Sequence, residues 1–319
     1  MKFAHMADAH IGSWREPRLK EASLDAFVKA VKICFEQNVN FILISGDLFN
    51  TSLPAIDKLK EVVTQLKHLN ESNIPTYIIP GSHDFSPSGK TMLDVLENAG
   101  LVVNVVKGTV DKESNKLKLR FSVDKKTGAK ITGMLGKKGM LEKHYYESLE
   151  TKNLEDEQGF KIFMFHTALT ELKPKSLADM DSAPISLLPK GFDYYAGGHV
   201  HIIEKQKIDG YGVVVYPGPL FPNNFKELEE PKCGGFNIWD DGKINYFPLQ
   251  LYDVKSIVID CSNKSPEEVR YDILKNIDKI VVVNNTIVQD ETRQNNLPLD
   301  KQVEHKITDL TPSPTLTSI

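Results

Sequence analysis

Seven side chains, Asp8, His10, Asp47, His83, His166, His199 and His201, occur in an order and local spacing that can gather two divalent metal ions. They sit in five short segments: Asp8-Ala9-His10, Gly46-Asp47, Gly81-Ser82-His83-Asp84, Phe165-His166 and Gly197-Gly198-His199-Val200-His201. In an extended segment residues i and i+2 point to the same side, so Asp8 can meet His10 on one ion, and His199 and His201 can serve a pair. Carboxylate and imidazole donors without thiolate suit manganese, iron or zinc. Cys34, Cys233 and Cys261 all lie outside the segments. Two such ions bring four positive charges and Asp8 and Asp47 cancel two. The remainder is available to stabilise a phosphodiester transition state and to deprotonate a bound water.

Each segment alone has a plainer reading. An isolated Asp-x-His at a strand end is commonly a turn or capping pair. Gly46-Asp47 after Phe41-Ile42-Leu43-Ile44-Ser45 is an ordinary strand exit, and His166 after Ile162-Phe163-Met164-Phe165 fits a satisfied core histidine. The paired glycines before His199 are sharper, because they let the backbone turn tightly and set two imidazoles close together. The joint occurrence of all five, in this order, carries the metal reading.

Most of these segments follow an apolar run that reads as a buried strand, and strand ends are where an open α/β sheet places its ligands. Strands are expected at 2–7, 41–45 and 76–79. A helix at 19–37 carries the apolar stripe Ala22, Ala26, Phe27, Ala30, Val31, Ile33 and Cys34. A second, from Pro54 to 69, turns Ile56, Leu59, Val62, Val63 and Leu66 inward, and a third at 91–98 is closed by Gly100. This alternation implies a parallel sheet with right-handed crossovers. Beyond Leu101 the pattern predicts strands at 101–106, 117–123, 131–135 and 161–165, a short helix at 141–149, and then strands at 194–196, 202–208, 213–216, 235–239 and 244–249, which suggest an antiparallel second sheet. The fold class is therefore α/β, a two-sheet α/β sandwich occupying 1–250. A small α+β module follows at 251–288, with Ile257-Val258-Ile259-Asp260 and Ile280-Val281-Val282-Val283 flanking a helix capped by Ser265. Residues 289–319 are polar and read as a disordered tail.

With 319 residues, 40% hydrophobic and 26% charged, the chain has the composition of a soluble globular protein. Its opening is too short and interrupted for a signal peptide, and no apolar run approaches membrane-spanning length, so a cytoplasmic, nucleoid-associated location is expected. Three scattered cysteines exclude a disulfide framework and a zinc ribbon. A net charge of -4 is not that of a globally basic nucleic-acid binder. Residues 112–143 nevertheless hold ten Lys or Arg against three acids, Glu113, Asp124 and Glu142. Such a stretch can track a phosphate backbone or simply be solvated loop lysines.

Phe3-Ala4-His5-Met6-Ala7-Asp8-Ala9-His10-Ile11-Gly12, Ser45-Gly46-Asp47-Leu48-Phe49, Pro80-Gly81-Ser82-His83-Asp84 and the Gly197 to His201 segment together resemble the calcineurin-like metallophosphoesterases. More narrowly they resemble the SbcD/Mre-type nucleases of double-strand-break repair, as do Tyr216-Pro217-Gly218, Phe225, Glu227 and Gly234-Gly235-Phe236. The resemblance implies a manganese-dependent DNA exonuclease and endonuclease using two-metal phosphodiester hydrolysis. In it Asp8, His10 and His201 hold one ion, His166 and His199 the other, and Asp47 bridges them. His83 protonates the leaving oxygen or stabilises the charged phosphorane, and Asp84 orients its ring. Ser82 stands where the family usually has an asparagine ligand to the second ion, and Asn50 where some members have a histidine that contacts DNA. Arg15 and Arg18 are further candidate DNA contacts. Two divalent ions, most simply Mn2+, a DNA substrate, an SMC-like coiled-coil ATPase of SbcC type and a homodimer come with the resemblance. So does a capping role for 251–288, as a truncated DNA-binding module; Leu297, Val303, Ile307 and Leu310 fit either part of an ATPase-docking helix or a frayed tail. Two rivals stand beside it: a general small-substrate phosphodiesterase, and a weakly catalytic DNA-end-binding scaffold, which Ser82 favours.

Overall fold

The computed structural model describes residues 1–17, 19–85, 91–137, 139, 142–254 and 258–276. Arg18, the expected strand at 280–283 and the whole tail, with Leu297, Val303, Ile307 and Leu310, lie outside the described residues. The chain divides into two compact units, Met1–Asn223 with Gly234–Leu249, and Asn224–Cys233 with the chain from Gln250 on.

The strands are β1 (Lys2–Met6), β2 (Phe41–Ser45), β3 (Thr76–Ile79), β4 (Val103–Asn104), β5 (Gly108–Val110), β6 (Leu117–Leu119), β7 (Ser122–Val123), β8 (Lys130–Gly133), β9 (Lys161–His166), β10 (Tyr194–Gly198), β11 (Ile203–Ile208), β12 (Gly212–Pro217), β13 (Gly234–Asp240) and β14 (Lys243–Leu249). The first unit also holds helices α1 (Ala22–Glu36), α2 (Ile56–Glu71), α3 (Met92–Asn98), α4 (Lys143–Glu147) and α5 (Lys152–Glu155). Its first sheet runs β14-β13-β1-β2-β3-β4 and its second β11-β12-β10-β9-β8-β7, while β5 and β6 form a separate pair.

Strands β2 and β9 are buried at every position, because each is covered on both faces. Side-chain alternation along β9 shows what covers them. Ile162 and Met164 join Phe3, Phe41, Leu43, Ile79 and Tyr194 in the core between the sheets. Phe163 and Phe165 point the other way, into a second core with Leu172, Ile185, Leu188 and Phe192. Helix α1 buries Ala22, Ala26, Phe27, Ala30, Val31 and Cys34 of its expected stripe, while Ile33 is only half-buried. On α2 the buried face is Lys58, Val62, Leu66 and Leu69, and Ile56, expected inward, is 83% exposed. Six residues separate Ile56 from Val62, about 240° around the helix at ~100° per residue, so Ile56 falls off the stripe.

The second sheet differs from the antiparallel one expected. Strands β8, β9, β10 and β12 are mutually parallel, and only the edge strands β7 and β11 run against them. The long connections at 134–160 and 167–193 leave room for crossovers, which carry α4, α5 and three short 3-10 turns. Strands β13 and β14, also expected in the second sheet, instead extend the first: β13 pairs antiparallel with β1, and a tight turn at Asp241 and Gly242, both at positive φ, leads into β14.

The second unit contains α6 (Phe225–Glu229) and α7 (Pro266–Asn276). The Ser265 hydroxyl accepts from the Glu268 amide at 3.3 Å, and the Glu268 carboxylate accepts from the Ser265 amide at 2.7 Å. This is the capping box that the Ser265 spacing predicts. Among the described residues no helix is long and apolar enough to cross a membrane.

Candidate metal centre

The candidate ligands leave the ends of five strands. Asp8 and His10 follow β1, Asp47 follows β2, and Ser82 to Asp84 follow β3; His166 closes β9, and His199 and His201 follow β10. The first two loops are laced by their backbones, Asp8 N–H to the Gly46 carbonyl at 3.2 Å and His10 N–H to the Asp47 carbonyl at 2.9 Å. Asp8, His10, Asp47 and His199 have φ of 50°, 41°, 52° and 89°. A left-handed conformation at a residue other than glycine costs about 1–3 kcal/mol, and four such residues stand at this centre. Gly46 is itself at φ +86°, and a Cβ there would overlap the His166 ring. No other residue fits that position.

Six of the seven side chains fall into three overlapping groups: Asp8, His10 and His201; His10, Asp47 and His83; Asp8, Asp47 and His166. Within each group the donor atoms all lie within 4.8 Å of one another. His10 Nε2 is 3.2 Å from His201 Nε2 and 3.6 Å from Asp47 Oδ2. His166 Nε2 faces Asp47 Oδ2 at 3.2 Å, away from hydrogen-bond alignment. His199 is outside these groups. Its ring centroid is 5.2 Å from that of His166, and its amide donates to both Asp8 oxygens, at 3.0 and 3.1 Å.

Ser82 is buried and its hydroxyl donates to Asp47 Oδ2 at 3.4 Å. Asp84 does not take the expected place behind His83. Its carboxylate accepts from the amides of Leu48, Phe49 and Gly81, at 3.3, 3.2 and 3.0 Å. The His83 Nδ1 instead lies 2.8 Å from the Asn50 carbonyl. A short side chain next in sequence is better placed to collect the amides of the adjoining loop than to reach back to the ring. Asn50 thus meets the centre through its backbone, and Arg15 is exposed on the loop after β1.

Two braces went unread in the sequence. His5 is fully buried, with Nδ1 3.0 Å from the Tyr194 hydroxyl and Nε2 3.0 Å from the Ser45 hydroxyl, which donates to the Ala196 carbonyl. The Ser45 carbonyl in turn lies 2.8 Å from His166 Nδ1. The available signal was a histidine and a serine inside otherwise apolar strands. Tyr216 clamps the chain beyond His166, donating to the Thr167 carbonyl at 2.8 Å and accepting from the Leu169 amide at 3.1 Å.

The electrostatics fit a pair of cations. Burial raises the Asp8 carboxyl above its usual range, partly offset by His201 and His166. Burial works the same way on Asp47, but His166, His10 and the His83 amide outweigh it and hold that carboxyl well below the usual range. Burial disfavours the charged form of His166, and Asp47, Asp8 and the Ser45 carbonyl overcome this, bringing it to about 10. Without metal, then, a proton on His166 supplies the positive charge that the buried carboxylates require. Burial lowers His10 to about 3 and His199 to about 4, which keeps both neutral, the form that ligates. His10 Nδ1 and His166 Nε2 are buried without a hydrogen-bond partner, as uncoordinated donor atoms of a metal site are.

Two mixed sheets whose parallel strands deliver carboxylates and imidazoles to one centre define a metal-dependent phosphoesterase. The chain belongs to the calcineurin-like phosphoesterase family, whose sequence profile matches residues 1–202. Among curated proteins it is 28% identical over 235 residues to the DNA double-strand break repair protein Mre11 of Archaeoglobus fulgidus, covering 72% of this chain and 52% of that protein. The Mre11 proteins of Methanococcus maripaludis and Sulfolobus acidocaldarius are 27% identical over 276 residues and 26% over 291, covering 82% and 87% of this chain and 68% and 72% of theirs. The chain thus spans about half the length of the Archaeoglobus relative and somewhat more of the other two.

Proposed function

We propose that this chain is a manganese-dependent nuclease that processes DNA double-strand breaks, with exonuclease and endonuclease activity. The carrying observation is the convergence of Asp8, His10, Asp47, His83, His166 and His201 from two sheets on one centre. In this reading Asp8, His10 and His201 would hold one ion and His166 and His199 the other, with Asp47 shared by the two. Two divalent ions there supply positive charge to the phosphate and acidify water.

The chain's own groups do the rest. With Nδ1 against the Asn50 carbonyl, the His83 ring keeps its proton on that nitrogen, so Nε2 is the atom that exchanges a proton with the leaving oxygen. Asp84 is a positioning residue: through the Leu48, Phe49 and Gly81 amides it holds the loops after β2 and β3 together. Ser82 donates to Asp47, and an asparagine there would reach farther toward the second ion. Similarity to the Mre11 proteins supports DNA as the substrate, and an SMC-like ATPase partner belongs to the same proposal. So does a homodimer, for which the exposed Leu53 and Ile56 offer an apolar surface.

The test is digestion of linear duplex DNA with manganese, run beside bis-p-nitrophenyl phosphate. DNA cleavage abolished in His83→Leu, with DNA binding retained, supports the nuclease. Cleavage of the small diester alone favours the small-substrate phosphodiesterase. Activity unaffected by His83→Leu favours the DNA-end scaffold, toward which Ser82 points.

A further inference from the structure

The lysines of the basic stretch are not equivalent. Lys116, Lys118 and Lys130 pair with Glu150, Asp111 and Glu157. Lys137 makes no ion pair among the described residues. Its ammonium lies 5.0 Å from the Phe85 ring centroid and 4.5 Å from that of Tyr145, and it donates to the Tyr145 hydroxyl at 2.7 Å. The nearby acid is otherwise engaged: Glu142, fully buried, accepts from the Lys137 amide at 3.1 Å and from the Thr167 hydroxyl at 2.9 Å.

This group stands at the edge of the metal centre. Gly136 donates its amide to the Pro80 carbonyl at 2.9 Å, and it packs so closely on the His166 ring that a Cβ would overlap it. Lys137 is the next residue, and Phe85 is two residues beyond His83. Phe85 and the cation therefore sit on segments that adjoin the candidate ligands, and α4 brings Tyr145 to them.

From this we infer that Lys137, held by Phe85 and Tyr145, binds a second, non-scissile phosphate of a polynucleotide lying across the centre. The two rings hold the ammonium in place without neutralising it. Tyr145 uses one of its three donors, which leaves two for an anion. Hydrogen bonds and charge are thus both unspent beside a centre suited to a phosphodiester. A substrate with one phosphate has nothing to offer this rim, whereas a nucleic-acid strand does. The inference rests on the nuclease reading and extends it to how the strand is held.

The experiment compares wild type, Lys137→Gln and Lys137→Arg on linear DNA and on bis-p-nitrophenyl phosphate, a diester with a single phosphate. It adds DNA binding by the metal-free protein in chelator across a salt series. In Lys137→Gln the ratio of KM for DNA to KM for the small diester should rise on the order of tenfold. The slope of log binding constant against log salt should become shallower by about 0.9, and Lys137→Arg should restore most of both. An unshifted ratio with an unaltered salt slope, in a wild type that cleaves DNA, overturns the rim and leaves the nuclease reading standing. Equal losses on both substrates make Lys137 a structural brace and also overturn it. A wild type that cleaves the small diester but neither cleaves nor binds DNA removes the nuclease reading and the rim together.

Discussion

The two sheets of the first unit bring different chemistry to the centre. Loops of the first supply both carboxylates, Asp8 and Asp47, together with His10 and His83; the second supplies only imidazoles, His166, His199 and His201. The second-sheet candidates also lean on the first. His166 Nδ1 is held by the Ser45 carbonyl, and the His199 amide is held by the Asp8 carboxylate. Neither sheet alone forms the centre, so ions that bind it favour docking of one sheet on the other and stabilise the folded state by mass action.

The most damaging break of this division of labour removes charge from the first sheet. Asp47→Asn should lower turnover of bis-p-nitrophenyl phosphate by at least on the order of 10³-fold, because Asp47 faces His10, His166 and His83 at once. His199→Ala removes one neutral donor and should cost on the order of 10²-fold. Steady-state kinetics on the two variants rank the sheets directly, and equal losses would erase the distinction.

Next in size is a purely steric break. Gly46→Ala places a side chain at φ +86° and against the His166 ring, and should destabilise the protein by about 2–4 kcal/mol. Thermal unfolding reads this, and manganese should restore less of the lost stability than in wild type.

Protons sharpen the comparison further. His166 is raised to about 10 in the metal-free protein, so metal binding at pH 8 should release close to one proton from it, measurable by calorimetry in buffers of different ionisation enthalpy. Its folded value exceeds the unfolded 6.5, so the stability it contributes is complete below pH 6.5 and lost as pH rises through about 10. His5 and His10 behave oppositely. Burial lowers both to about 3, so their contribution is present above pH 6.5 and lost as pH falls toward 3. Melting temperatures of chelated protein across pH 3 to 10 should show both flanks.

The smallest effect is expected at Ser82. Ser82→Asn should raise manganese affinity or turnover by a few fold, since the longer amide reaches where the hydroxyl only touches Asp47. A manganese titration that does not move counts against a ligand role for this position.

Much of this centre was legible because its residues are rare in the places where they occur. Asp8, Asp47 and His166 interrupt or terminate apolar strands, and their types name the chemistry. Strand direction was not legible: apolar alternation in 131–135 or 213–216 reads alike either way, and connection length decided it. Asp84 and His83 show a second limit. The family resemblance implies a carboxylate behind the imidazole, whereas a backbone carbonyl, which every residue carries, took the role. The left-handed backbone at Asp8, His10, Asp47 and His199 is imposed by the loops, at residue types that tolerate it but do not by themselves announce it.

The most direct test is a crystal of the protein soaked in manganese, with anomalous scattering recorded at the metal edge. Two peaks are expected, one touching Asp8, His10 and His201, the other His166 and His199, with Asp47 reaching both. A single peak, or ions elsewhere while His166 stays paired with Asp47, contradicts the two-sheet centre.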